Sequence, residues 1–165
     1  MNTDKINELL VEELSNIGEA YGSTMGIMGA PFVKLTAKFT ARAGRSGTSF
    51  SAKRLKTDQV TEYYKVAMTA VKLFDILKTY LSKNGRVIES SERKSLTALT
   101  LSGYANMNPC VLVVRLTTDS SNKITLEITG YAKEGIIKQN TCKKSINNLI
   151  SFLNSNEVNV TRIKK

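Results

Sequence analysis

Apolar and polar positions along the chain change period several times, and each change predicts an element. Over residues 4 to 21, Ile6, Leu9, Leu10, Leu14, Ile17 and Tyr21 recur at three- and four-residue spacing while Glu8, Glu12, Glu13 and Glu19 take other positions. That is the period of an amphipathic helix, capped by Thr3 and ended by Gly22. From Val33 to Ala43 the alternation is strict: Val33, Leu35, Ala37, Phe39, Ala41 and Ala43 on one side, Lys34, Thr36, Lys38, Thr40 and Arg42 on the other. A period of two is that of a half-buried strand. Gly44-Arg45-Ser46-Gly47 then reads as a turn, and Thr48 to Arg54 as a return strand with Phe50 and Ala52 inward.

The helical period returns from about Gln59 to Lys83. Val60, Tyr63, Ala67, Ala70, Val71, Phe74, Leu77 and Leu81 form a stripe, framed by Asp58 as an N-cap and Asn84-Gly85 as a stop. A long central helix is expected there. Strand patterns follow at 86–90, 95–105, 110–118 and 123–133, with Asp119-Ser-Ser-Asn122 as a hairpin turn. Asn140 or Thr141 begins a closing helix whose face is Cys142, Ile146, Leu149, Ile150 and Leu153, and Val158 and Val160 suggest a last short strand.

The elements predict an α+β fold: an antiparallel sheet of about six strands with two hairpins, packed by a long central helix and a C-terminal helix, with an amphipathic N-terminal helix. At 165 residues the chain has the size of one domain. Within it, 1–21 is the acidic helix, 22–31 a Gly/Met-rich linker and 32–165 the α+β core. Residues 33–89 and 111–163 can be laid over each other as hairpin, helix and strand, so a degenerate duplication stays open.

Charge changes the picture. The net charge is +10, larger than is usual for a small soluble domain, and it is segregated. Up to Tyr21 there are five acids and one lysine, whereas Gly22 to Lys56 carries seven basic residues and no acid. On the predicted strands Lys34, Lys38, Arg42 and Lys53 share an outward face, with Arg45 at the turn and Arg54 and Lys56 beyond. Alternate strand residues lie about 6.5 to 7 Å apart, close to the spacing of phosphates along an extended nucleic-acid strand. Thr36, Thr40, Ser49 and Ser51 add donors that position a phosphate backbone without reading bases. Arg115 and Tyr131, on the outward side of the later strands, extend the candidate set, and Tyr104 and Tyr131 are the aromatics left to stack on bases.

Catalytic chemistry finds little support. Histidine is absent, which removes zinc-finger ligand sets and histidine-dependent acid-base catalysis. Cys110 and Cys142 belong to no metal-binding pattern, and Cys142 reads as a core residue. The glycines between Gly22 and Pro31 lack the Gly-Lys-Ser/Thr of a phosphate loop. No signal peptide or membrane span is legible. The expectation is a cytoplasmic, non-enzymatic protein without cofactor or metal. It contacts the backbone of single-stranded DNA or RNA in preference to duplex DNA through a basic β-ribbon, and it self-associates. Two alternatives stand beside it: an assembly subunit of a ribonucleoprotein, virion or filament, and a small-ligand-binding α+β domain.

Overall fold

A computed structural model describes residues 1–28, 33–102, 107–119, 123–134 and 139–164, with side chains described outside 25–40. The chain divides into two compact units, Asn2–Lys56 and Thr57–Lys165.

The first unit is a pair of helices, α1 (Thr3–Met28) and α2 (Val33–Arg54). The expected β-ribbon is therefore a helix. Lys34, Lys38 and Arg42 are spaced by four, a multiple of the strand period and also close to one helical turn, so the polar side of the pattern fits both. Alanine, lysine and arginine are good helix formers, so local propensity permits a helix over 33–54, and the close contact with α1 at Gly44 favours it. The expected glycine linker is likewise helical as far as Met28. Asn2, not Thr3, caps α1, its side-chain oxygen accepting from the Lys5 amide at 3.0 Å.

Glycine brings the two helices together. A Cβ on Gly44 would lie 2.3 Å from the Gly18 carbonyl oxygen, and one on Gly18 would lie 2.1 Å from Thr48 Oγ1 and 2.8 Å from the Gly44 carbonyl oxygen. The backbones thus touch where any side chain would separate them. Ala41, Gly44, Thr48 and Ala52 recur at three- and four-residue spacing along α2. Thr48 folds its hydroxyl back onto the Gly44 carbonyl at 2.6 Å. The glycines read as a turn are helical positions, and Gly44 is held there by close approach.

The second unit contains β1 (Thr57–Val66), α3 (Ala70–Lys83), β2 (Gly85–Ser91), β3 (Ser95–Ser102), β4 (Asn108–Thr118), β5 (Ile124–Lys133), α4 (Thr141–Ser155) and β6 (Val160–Ile163). The fold is α+β, with a six-stranded antiparallel sheet in the order β2-β3-β4-β5-β1-β6. Residues 33–89 run helix, strand, helix, strand, whereas 111–163 run strand, strand, helix, strand.

The expected long helix over 59–83 is split. Its first half pairs with β5 through ten consecutive positions, from Thr57 opposite Lys133 to Val66 opposite Ile124. Val60, Thr61, Tyr63, Tyr64 and Val66 are β-branched or aromatic, types that lose side-chain freedom in a helix and pack well on a pleated surface. Asp58 is consequently a ladder residue opposite Ala132, and extended Thr69 precedes α3 instead. The Asn84-Gly85 stop is where it was expected. A Cβ on Gly85 would lie 2.2 Å from the Leu99 carbonyl oxygen, so the turn into β2 needs glycine.

α3 and α4 supply Leu73, Phe74, Leu77, Leu81, Cys142, Ile146, Leu149 and Leu153 to a core completed by Leu96, Leu112, Val114, Leu126 and Ile128 of the sheet. Each fully buried aliphatic side chain contributes roughly 1.5–3 kcal/mol. Glu134 caps α4, accepting from the Thr141 amide at 2.6 Å and the Gln139 amide at 3.1 Å. Both cysteines are free and buried. A hydrogen bond with Cys110, reinforced by burial, holds the Cys142 thiol well above the ordinary thiol range.

Among the described residues of this unit one carboxylate is buried. Glu62 is 4% exposed; Arg162 donates to one of its oxygens at 2.7 Å, and the Tyr64 hydroxyl donates to the other. Removing either partner leaves a buried charge undercompensated. Because Arg162 lies opposite Tyr64 in the ladder, the same group ties β6 to β1. Burial first, then the hydrogen bond to Glu62, pushes the Tyr64 phenol far above its usual range.

Two predictions follow from this packing. Gly44→Ala should destabilise the Asn2–Lys56 unit by about 1–3 kcal/mol through overpacking, while Gly47→Ala, where a Cβ meets nothing within 4 Å, should stabilise it by about 0.8–1 kcal/mol. Hydrogen exchange of α1 and α2 amides in the two variants measures both; equal effects would contradict close packing at Gly44. The second concerns alkaline pH. Tyr64 stays protonated in the folded state, so its contribution is complete below pH about 10 and is lost as pH rises, by up to about 1.4 kcal/mol per unit. In urea unfolding between pH 8 and 11.5, Tyr64→Phe should show a shallower alkaline decline than the parent. Parallel curves would remove Tyr64 from the linkage.

Candidate nucleic-acid interface

The basic residues singled out by sequence are distributed over both units. Six lie on α2, which has no carboxylate between Val33 and Arg54. Positions 34, 38, 42 and 45 are spaced by four, four and three, and so share one stripe of the helix. Each four-residue step rises about 6 Å on the helix, about half of the roughly 13 Å that four residues span in a strand, so the row of cations survives the change of element at a closer spacing. The side chains of Lys34 and Lys38 lie outside the described set. Thr36 and Thr40, expected beside them, lie outside it as well. Arg42, Arg45, Lys53, Arg54 and, just beyond the helix, Lys56 are exposed.

Two of these cations have defined neighbours. Arg45 donates to Glu19 of α1 at 2.7 Å, with both side chains about half exposed. The acidic helix thus meets the basic one at this point, and the exposed pair adds no more than about 1 kcal/mol. The Arg54 guanidinium lies 3.9 Å from the centre of the Phe50 ring. Phe50 was expected inward; it is 58% exposed, because the inward face of a strand ceases to be one face once the segment is helical. Guanidinium and ring together form a flat, cationic surface element of the kind on which bases stack. Periodicity read as a strand hid this pairing, whereas the four-residue separation of Phe50 and Arg54 was its available signal.

Arg115 and Tyr131 belong to the other unit. Arg115, on β4, donates to Glu127 of β5 at 3.0 Å. It lies opposite that residue in the ladder, a cross-strand ion pair on the sheet surface. Tyr131 is half-buried on β5, opposite Val111 and Gln59. The α2 positions belong to the Asn2–Lys56 unit, and Arg115 and Tyr131 lie four ladder positions apart in the Thr57–Lys165 unit. Tyr104 lies outside the described residues.

Among the described residues no helix is long and apolar enough to cross a membrane. No protein-family model matches the chain, and no curated protein matches it.

Proposed function

We propose that this is a non-catalytic nucleic-acid-binding protein that contacts phosphate backbone through α2. The observation that carries the reading is a 22-residue helix with six cations and no acid, on which Arg42, Lys53 and Arg54 are exposed. Cations four residues apart on a rigid helix neutralise successive phosphates and release their counterions, giving affinity without sequence preference. The stacked pair of Phe50 and Arg54 adds a surface for an unpaired base, which favours single-stranded DNA or RNA over duplex DNA. Glu19, bound to Arg45, competes with phosphate for that cation, so α1 moderates the basic helix locally. Cytoplasmic location and self-association accompany this reading as proposals.

The test is fluorescence anisotropy with labelled single-stranded DNA, single-stranded RNA and duplex DNA across a salt series. With about five phosphates contacted, log K should fall with log salt at a slope of about −3.5 for single strands. The triple variant Arg42→Glu, Lys53→Glu, Arg54→Glu should lower affinity at least about a hundredfold and flatten that slope by about two. Phe50→Ala should lower single-strand affinity about tenfold while leaving the slope in place. Parental binding by the triple variant sinks α2 as the contact element.

A further inference from the structure

The chain's two cysteines meet inside the Thr57–Lys165 unit. Cys110 is on β4 and Cys142 in the first turn of α4; both are fully buried, and a hydrogen bond joins their thiols. Gly130 of β5 makes the room for them. A Cβ there would lie 3.1 Å from the Cys142 Cβ and 3.5 Å from the Cys110 Sγ, so a side chain at this position would hold the start of α4 off the sheet. The Cys142 thiol also donates to the Asp58 carbonyl of β1 at 3.6 Å.

Contact and burial set the chemistry of this pair. The thiolate is the reactive form of cysteine, and in the folded chain it is disfavoured at Cys142 by the hydrogen bond with Cys110, by burial, and by the nearby carboxylates of Asp58 and Glu134. The folded, reduced pair therefore resists oxidants. In the unfolded chain both thiols are open to solvent, and folding is what brings them together. From hydrogen-bond contact the sulfurs need only approach to about 2.05 Å to be bonded. No third cysteine competes for either of them.

We propose that Cys110 and Cys142 form a redox latch that is set as the chain folds: closed as a disulfide in an oxidising thiol–disulfide environment, open in a reducing one. The oxidant is a small disulfide such as oxidised glutathione. One cysteine thiolate attacks a glutathione sulfur, forming a mixed disulfide and releasing one glutathione thiolate; the other cysteine's thiolate then attacks the cysteine sulfur of that mixed disulfide and releases the second. Two cysteine thiols are oxidised, one glutathione disulfide is reduced, and the two glutathione thiolates take up the two protons. The closed latch ties the start of α4 to β4 between positions 32 residues apart, which restricts the unfolded chain and raises stability. Burial then preserves whichever state folding left. The latch is independent of α2, so failure of either reading leaves the other intact.

The experiment unfolds the full chain in guanidinium chloride with dithiothreitol, removes both, and refolds one portion in oxidised and reduced glutathione and the other in dithiothreitol. The oxidised portion should be a monomer lighter by two hydrogen atoms, without a titratable thiol in denaturant, and with a Tm higher by about 10 °C. Its two-dimensional NMR spectrum should match that of the reduced portion away from the two cysteines. Cys142→Ala should have the same Tm from either buffer. Reduced protein that is already folded should close the disulfide at least about a hundredfold more slowly in the glutathione buffer than the refolding chain does. The proposal is overturned by glutathione adducts or disulfide-linked dimers in place of the internal bond, by an oxidised chain that loses the native spectrum or gains no Tm, by a buffer-dependent Tm in Cys142→Ala, or by a folded protein that oxidises as fast as the refolding one.

Discussion

The β1–β5 ladder is the constraint on which the α+β unit depends. Ten consecutive pairs join residues 57–66 to 124–133, segments separated by most of the unit's length. That pairing places β1 between β5 and β6 and positions Val66 and Tyr64 in the core. It also brings Glu62 to the place where Arg162 can reach it. Without the ladder, Glu62 would have no reason to be buried and β6 no strand to pair with. Such a contact closes only after a long loop has been ordered, at an entropic cost that depends weakly on loop length, and many apolar side chains beneath it offset that cost.

In the helical unit the corresponding constraint is steric. Gly18 and Gly44 allow backbone to meet backbone. Opposite charge on the two helices is then joined locally, at Glu19 and Arg45. Arg42, Lys53 and Arg54 stay exposed, and the closest helix–helix contact is made by glycine and threonine.

The two proposals use different physics. The reading proposed for α2 rests on a concentration of cations, strong at low salt and indifferent to sequence. A row of charge is visible in a linear sequence. The contact of two buried thiols is not, because Cys110 and Cys142 become neighbours only when the sheet order and the placement of α4 are known.

By itself the sequence determined the class of the fold, the four strands after Gly85, the closing helix with Cys142, Ile146, Leu149 and Leu153 on its buried face, and the concentration of positive charge before Lys56. These are readable because each depends on neighbours within a few residues: turn chemistry at Asn84-Gly85, three- and four-residue spacing along the closing helix, alternation along one strand. Tertiary structure decided the identity of 33–54 and 57–66. In the first, a four-residue repeat of cations satisfies strand and helix alike, and Gly44, which resembles part of a turn, serves a helix contact. In the second, a broad apolar stripe fits a buried helix and a buried strand equally, and only pairing with residues 124–133 selects the strand. Local period leaves such segments degenerate, and the long-range contact that buries them breaks the degeneracy.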